Sequence, residues 1–398
     1  MPRKKLYAVI LPGFFIGLVC LVCCKNFSHS QKNYTELGFW TVGDGINERF
    51  GTNIHQTLDK LRGNTSQLDE FLLTIADQPF TKTQILERSG LTPSQVDYLI
   101  TNLVSFRLIK KDNQGRWATV LPVITDNQMK TIREDLETMA ENVARHLQKE
   151  IHQMITLYNR VKSPPDPPWE DINHLFVDKF IIDGTFHRSI NNLRLEQKSE
   201  IREPDEKQQT TSEAFFFEYG KNFSTFGTNW YAYNEGGDQR DVYVLHGALF
   251  DRYDIAMNKY RGDEHFAAVL FNITPEGGIH SLTHQEKVML QDMDWISNDR
   301  LLVPIVKAET IKRLWQAIEE MGKDAAEVAF SHFTDITDSY KKAPHSKFLD
   351  SDEDYIQVCI HVLFGLIIEH LEKNGVVSPI PHPAPESFGV YVVFGKLF

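Results

Sequence analysis

Five polar residues lie along a short predicted helix in the first third of the chain, and their types suit the reading of DNA bases. They are Ser94, Gln95, Tyr98, Thr101 and Asn102. Gln and Asn can make paired hydrogen bonds to adenine in the major groove, and Ser or Thr can reach several base edges or a phosphate. Residues near the N-terminus of a recognition helix face that groove, so this helix is a candidate for base reading.

Three cations, Lys110, Lys111 and Arg116, flank a turn a few residues further on, where they could contact the phosphate backbone. The charge of the surroundings is less favourable to DNA. Asp97 lies on the candidate helix, residues 66–124 carry six Lys and Arg against six Asp and Glu, and the whole chain has a net charge of −12. Phosphate neutralisation supplies most non-specific affinity, so a neutral module should bind DNA weakly. A surface helix that contacts another protein is the alternative, and the sequence leaves both open.

The local sequence predicts the elements that would position these side chains. Thr81 with Gln84, and Thr92 with Gln95, have the spacing of capping boxes, in which the two side chains satisfy amides at a helix start. Gly90 lies between them and suits the left-handed residue that ends a helix. The apolar residues of the second helix recur at helical spacing and form its inner face: Val96, Leu99, Ile100 and Leu103.

Two strand-like runs, RLIKK and RWATV, follow this helix and are separated by a hairpin turn of sequence DNQG. The order helix, helix, turn, helix and hairpin over residues 66–124 predicts a winged helix-turn-helix. The stretch QILERSGLTPSQVDYLITNLVSFRLIKK resembles the winged-helix domains of ArsR- and MarR-like bacterial regulators, through Gly90, the apolar spacing around it and the FRLI run before the hairpin. The resemblance covers residues 66–160. It implies double-stranded DNA binding and a homodimer, although winged helices also serve protein contacts alone.

Residues 125–162 predict one long helix. Its apolar residues follow spacings of three and four, close to the heptads of a coiled coil: Met129, Ile132, Leu136, Met139, Val143, Leu147, Ile151, Met154, Tyr158 and Val161. So narrow an apolar seam needs a partner helix. A second copy of the chain, paired through residues 125–161, is the expectation that the resemblance favours. The alternative is a helix that lies across the C-terminal part of its own chain.

The Pro-rich stretch at residues 163–168 predicts a stiff linker and a domain boundary. Residues 169–398 contain strand-like runs (FFFEYGK, NWYAYN, DVYVLHGALF, FAAVLFNIT and FGVYVVFGKLF) and helical stretches at residues 308–333 and 354–373. Strands and helices form separate blocks, so the expected fold class is α+β. The role of this domain is left open.

The N-terminus predicts membrane association. A basic start precedes the apolar residues 6–24, and residues 25–65 are polar and predict a tether, with a short helix near residues 53–61. Nineteen apolar residues suit either an uncleaved anchor or a long signal peptide. The run LVCC resembles a bacterial lipobox, which implies lipidation at Cys24, with Cys23 where a small residue is usual. The side of the membrane stays open, although the charges favour export of the body.

Signs of catalysis or metal binding are scarce. The chain has no HExxH, GxSxG, Walker A, GxGxxG or paired CxxC motif. His280 and His284 share a helical spacing, but a solvated pair is the favoured interpretation, and His361 and His370 are expected to flank core. We therefore predict no enzyme, no cofactor and no metal.

Two functions follow from these patterns. The first is a dimeric, DNA-binding winged-helix regulator whose C-terminal domain senses a ligand or partner. The second is a membrane-anchored or exported protein that uses the winged helix for protein–protein interaction, without DNA binding.

Overall fold

The structure is a computed structural model, and it describes most of the chain from Leu37 onward. The described residues are 37–42, 49–50, 54–62, 67–164, 166–199, 213–218, 226–234, 241–249, 264–273, 278–343, 346–349, 352–379 and 390–395. The apolar segment at residues 6–24, with Cys24, lies outside them. Within these residues helices and strands are mixed, in agreement with the expected α+β class.

Part of the segment that the sequence predicts to be a tether is folded. Residues Leu37–Val42 form β1 and residues Ile54–Arg62 form α1, which confirms the short helix expected there. Leu37 of β1 is buried, and so are Ile54 and Leu58 of α1, whose spacing of four residues places them on one face of the helix. This part of the chain therefore belongs to the core.

Three helices and a hairpin follow in the order that the sequence predicts. They are α2 (Gln67–Thr74), α3 (Lys82–Ser89), α4 (Pro93–Ser105), β2 (Ile109–Lys111) and β3 (Trp117–Thr119). Both predicted capping boxes are formed, and Gly90 ends α3 at φ +67°, in the left-handed region. β2 pairs with β3 in antiparallel register, and the backbones of Phe80 and Trp117 exchange hydrogen bonds of 3.0 and 2.7 Å. The hairpin is thereby tied to the segment between α2 and α3.

A three-stranded sheet joins this region to the rest of the chain. Its order is β1-β5-β4, with β4 at Val123–Ile124 parallel to β5 at Glu213–Glu218 and β1 antiparallel to β5. Side chains alternate across a strand. Ala214 and Phe216 accordingly join the core around α1–α4, whereas Phe215 and Phe217 join the core of the C-terminal helices.

The second core is a bundle of helices around α5 (Asp126–Val161). Its other members are α6 (Trp169–His174), a π-helix (Leu175–Phe186), α7 (His187–Ser199), α10 (Ala308–Phe330), α11 (Phe333–Lys342) and α12 (Glu353–Lys373). Gly322 of α10 faces Thr185 of the π-helix so closely that a Cβ on it would lie 1.9 Å from the Thr185 hydroxyl oxygen. The single hydroxyl proton of Thr185 is within reach of three carbonyls, those of Ile181, Phe180 and Ile318, at 3.0, 3.1 and 3.2 Å.

A third core lies under a four-stranded sheet of order β10-β11-β7-β6. Its strands are β6 (Phe226–Asn234), β7 (Asp241–Leu249), β10 (Ile305–Lys307) and β11 (Val390–Phe394). The helices α8 (Glu264–Asn272) and α9 (His284–Asp292) lie between β7 and β10 in the chain, with a hairpin of β8 (Ile296–Ser297) and β9 (Arg300–Leu301). The run FAAVLFNIT, expected as a strand, is therefore a helix, since its buried residues follow the helical i, i+3, i+4, i+7 pattern: Phe266, Val269, Leu270 and Ile273.

The apolar seam of the long helix α5 is covered by other helices of the same chain. The seam residues from Met129 to Tyr158 are buried inside this chain, where α5 packs against α10 and α12. Arg133 forms an ion pair with Glu369 at 2.6 Å, and His370 Nε2 lies 3.1 Å from a Glu137 carboxylate oxygen, so polar contacts also join α5 to α12. Of the two partners left open by the sequence, the structure places the chain's own helices on this seam.

The Pro-rich stretch is bound to the helix bundle. Asp166 accepts hydrogen bonds from the Thr310 hydroxyl at 2.6 Å and from the Lys307 amide at 3.1 Å, and the Lys307 ammonium donates to the Pro164 carbonyl at 2.7 Å. Residues 37–398 form one compact unit, without a division at this stretch.

One helix among the described residues, α12, is long and apolar enough to cross a membrane by length and composition. Its most apolar stretch is 89% buried inside the protein, as the central helix of a soluble core would also be.

Candidate functional site

The start of α4 determines what Gln95 can do. The Thr92 hydroxyl accepts a hydrogen bond from the Gln95 amide, while Gln95 Oε1 accepts from the Thr92 backbone N–H and from the Thr92 hydroxyl, both at 2.7 Å. A paired contact with adenine needs the side-chain oxygen and nitrogen of Gln together. Because the oxygen is used at the helix start, the geometry assigns Gln95 to capping rather than to base reading.

The outward face of α4 is polar and nearly uncharged. Pro93 apart, the exposed side chains of α4 lie at 100° per residue within about 60° of Thr101. They are Ser94, Asp97, Tyr98, Thr101, Val104 and Ser105. Tyr98 is 54% and Val104 is 42% exposed, which makes them the largest apolar surfaces of this face. Asn102 is half-buried, and its side-chain nitrogen already donates to the Tyr98 carbonyl at 2.7 Å.

Arg116, one of the three hairpin cations predicted to contact phosphate, instead closes the hairpin turn by pairing with Asp112. Asp112 accepts from the backbone amides of Gln114 and Arg116 and from the Arg116 guanidinium, at 2.8 to 2.9 Å. Desolvation of Asp112 opposes ionisation, but these hydrogen bonds and the Arg116 charge hold the pKa of its carboxyl below the usual value. Lys110 and Lys111 are exposed, and the Lys111 ammonium lies 5.3 Å from the centre of the Trp117 ring. The two lysines remain the hairpin's candidates for DNA contact.

Other charges of residues 67–124 are partly neutralised inside the chain. Lys82 forms an ion pair with Asp97, and the Arg88 guanidinium lies 4.5 Å from the centre of the Phe80 ring. Asp69 is buried and pairs with Arg62, which precedes the module, at 3.2 Å. Residues 67–124 contain six Lys and Arg and six Asp and Glu. Because Asp69 is buried and paired with Arg62, the surface of this region has one more cation than carboxylates.

A cluster of titratable groups is buried at the junction of α6 and the π-helix. His174 Nδ1 lies 2.6 Å from an Asp178 oxygen, and its Nε2 donates to the Ser378 carbonyl at 2.7 Å. Burial disfavours the imidazolium, but the Asp178 charge and these hydrogen bonds raise the pKa of His174 above its usual value. His174 and Asp178 therefore form a hydrogen-bonded pair within the core.

Lys179 follows Asp178 in the chain and is also buried. It is 1% exposed, and its ammonium has no hydrogen-bond partner among the described residues. The ammonium lies 5.6 Å from the centre of the Tyr391 ring. Burial lowers the pKa of Lys179 to about 7, against the opposing charges of Asp178 and Asp183. A buried amine of this kind is a recurrent sign of a functional site, and π-helical turns are enriched at such sites.

Two groups of side chains bring potential metal-ligand atoms within 4.8 Å of one another: Asp183, His187 and His361, and His146, Glu150 and Asp324. His361 is in the core, as the sequence predicts, and the burial of its ring, with His187 beside it, lowers its pKa well below the usual value. His280 and His284 are exposed and belong to neither group.

These interior groups are not apparent from the amino-acid sequence. Asp183 and His187 are four residues apart, which is a visible signal, but the side chain that completes the group, His361, lies on α12. Only the fold brings α7 and α12 together. Lys179 gave no signal at all, because it is a single cation in an apolar run.

No family model, curated protein or solved structure matches this chain.

Proposed function

We propose that residues 67–124 act as a winged helix-turn-helix module that binds duplex DNA through the outward face of α4 and the hairpin lysines. The observation that carries the proposal is the combination of α2–α4, the left-handed turn at Gly90 and the hairpin held by Phe80 and Trp117. This arrangement leaves one face of α4 in solvent, next to a hairpin with two exposed cations.

The contacts divide into two kinds. Ser94, Thr101 and Tyr98 are the exposed side chains of α4 that can reach base edges or phosphates, whereas Lys110 and Lys111 can neutralise phosphates. The small surplus of cations supports weak, salt-sensitive binding with modest sequence preference. In this proposal the C-terminal bundle is the sensing or partner-binding part, and α5 is its physical connection to the module.

The test is binding of the intact chain, in mild detergent because of residues 6–24, to labelled random-sequence duplex DNA across a salt series. We expect binding at low salt, and the logarithm of the binding constant should fall linearly with the logarithm of the salt concentration. Absence of binding at the lowest salt would contradict the proposal.

A second candidate function is favoured by Tyr98 and Val104, whose exposure on one helix face also suits a protein contact. In that case the protein is membrane-anchored or exported, and its winged helix binds a protein partner without DNA. Reporter fusions at the C-terminus separate the two candidates. Activity of the exported-compartment reporter alone supports the second, since DNA reading requires the body to be in the cytosol.

A further inference from the structure

Asp183, His187 and His361 converge where the end of the π-helix and the start of α7 face α12. One potential ligand atom from each lies within 4.8 Å of the other two. His187 Nδ1 is 3.8 Å from Asp183 Oδ1, which is too long for a hydrogen bond. A tetrahedral ion with bonds of about 2.0–2.2 Å holds its ligands roughly 3.3–3.6 Å apart, so small side-chain rotations would bring these atoms into coordination.

Gln357 makes a hydrogen bond with each of the two histidines and thereby sets the tautomer of both rings. The carbonyl of Gln357 can only accept, so His361 Nδ1, at 2.8 Å, donates to it and leaves Nε2 with the lone pair. The side-chain nitrogen of Gln357 donates to Asn191 Oδ1 at 3.1 Å, which turns its Oε1 toward His187 Nε2 at 3.2 Å. His187 therefore donates from Nε2 and keeps the lone pair on Nδ1.

Such an arrangement is the one that metal-binding histidines use. A ligating imidazole almost always donates its second N–H to a carbonyl or another acceptor, which fixes the tautomer and the ring orientation. Here one residue, Gln357, supplies the acceptor for both rings. Phe364 packs against both rings, with centroid distances of 5.4 and 5.0 Å, and forms an apolar wall.

We propose that Asp183, His187 and His361 bind a divalent transition-metal ion of the zinc type. Two imidazole nitrogens with one carboxylate suit Zn²⁺ or Co²⁺, whereas Ca²⁺ and Mg²⁺ prefer all-oxygen sites. The side chains of Asp183 and His187 are 14% and 16% exposed, so an ion can enter from the solvent side. Three protein ligands leave a fourth position for water.

The test uses the intact chain after removal of metal with a chelator. Zn²⁺ is titrated in competition with a chromophoric chelator, and Co²⁺ is then added to record its visible spectrum. We expect one tight site per chain and the intense d–d bands of four- or five-coordinate Co²⁺. Asp183→Asn and His187→Gln should each weaken binding by more than the roughly 10- to 100-fold that loss of a hydrogen-bond partner of a metal ligand costs.

Two further variants locate the site. Gln357→Leu should weaken Zn²⁺ binding by about 10- to 100-fold, because both histidines lose a positioning contact. His146→Gln, in the other group, should leave the affinity unchanged. Circular dichroism without metal shows whether each variant is folded. The proposal is overturned if the folded wild type binds no Zn²⁺, or if His146→Gln abolishes binding while Asp183→Asn and His187→Gln do not.

Discussion

Lys82, in the first turn of α3, forms an ion pair with Asp97 on the outward face of α4. Both side chains are largely exposed, so the pair contributes little stability. Its effect on the proposed DNA contact is larger, because Asp97 places a negative charge at that surface and neutralises the charge of Lys82. Asp97→Asn should therefore strengthen binding to random duplex DNA at low salt by roughly fivefold, since a unit charge near a phosphate is worth about 1 kcal/mol in water.

Glu87→Gln is the matched control for that substitution, because it removes the same charge from an exposed position on α3. Fluorescence anisotropy of the labelled duplex measures both variants. An equal gain for the two would mean that only the net charge matters, and no gain for Asp97→Asn would count against α4 as the contact.

The hairpin lysines should determine the salt dependence of the same binding. Each phosphate contact contributes about 0.9 to the slope of log K against log salt, so Lys110→Gln with Lys111→Gln should reduce the slope by about 2. Lys130→Gln with Lys149→Gln, on exposed positions of α5, removes the same charge and should change the slope much less. Equal slopes for the two double variants would place the contact elsewhere.

Gln95 should matter to stability more than to sequence preference. Gln95→Ala removes the side chain that accepts the Thr92 backbone N–H in the capping box of α4, and loss of one such hydrogen bond costs about 0.5–1.5 kcal/mol. The free energy of unfolding should fall accordingly in urea, whereas Thr101→Ala, on the exposed face, should stay within about 0.5 kcal/mol of wild type. A stability unchanged by Gln95→Ala would return Gln95 to the candidates for base contact.

The apolar seam of α5 should stabilise a single chain. Leu147 is fully buried in the bundle, so Leu147→Ala should cost about 2–5 kcal/mol, whereas Leu157→Ala, at a position 36% exposed on the same helix, should cost much less. The thermal midpoint of wild type should not depend on protein concentration. A midpoint that rises with concentration would indicate that a second chain completes the seam.

Lys179 should lower stability in a pH-dependent way. Its pKa is about 7 in the folded chain and about 10.4 when unfolded, so the unfolded state holds more protons between these values and wild-type stability rises with pH there. Lys179→Met lacks this penalty. It should exceed wild type by several kcal/mol below about pH 7, and the advantage should shrink toward about pH 10. Denaturation with a chelator present measures the difference, and a gap that does not vary with pH would show that Lys179 does not titrate this way.

Local signals predicted the elements well, and long-range contacts limited the prediction of the sites. The capping boxes and Gly90 specify their turns within a few residues, so α3 and α4 follow from the sequence alone. The apolar spacing of α5 predicts that one face of the helix is buried, but it does not identify the helices that cover this face. In residues 264–272, aromatic and branched side chains suggested a strand, while their buried spacing is helical. His187 and His361 meet only through the packing of the bundle.

Strand β5 is a wall shared by two cores, with Phe216 facing α1–α4 and Phe215 and Phe217 facing the bundle. Removal of everything after residue 162 would take away β5 together with the partners of α5, and would expose β4 and the whole apolar seam. Such a fragment should aggregate or associate with itself, and its apparent oligomers would say nothing about the intact protein. Limited proteolysis at the Pro-rich stretch should likewise release no stable module.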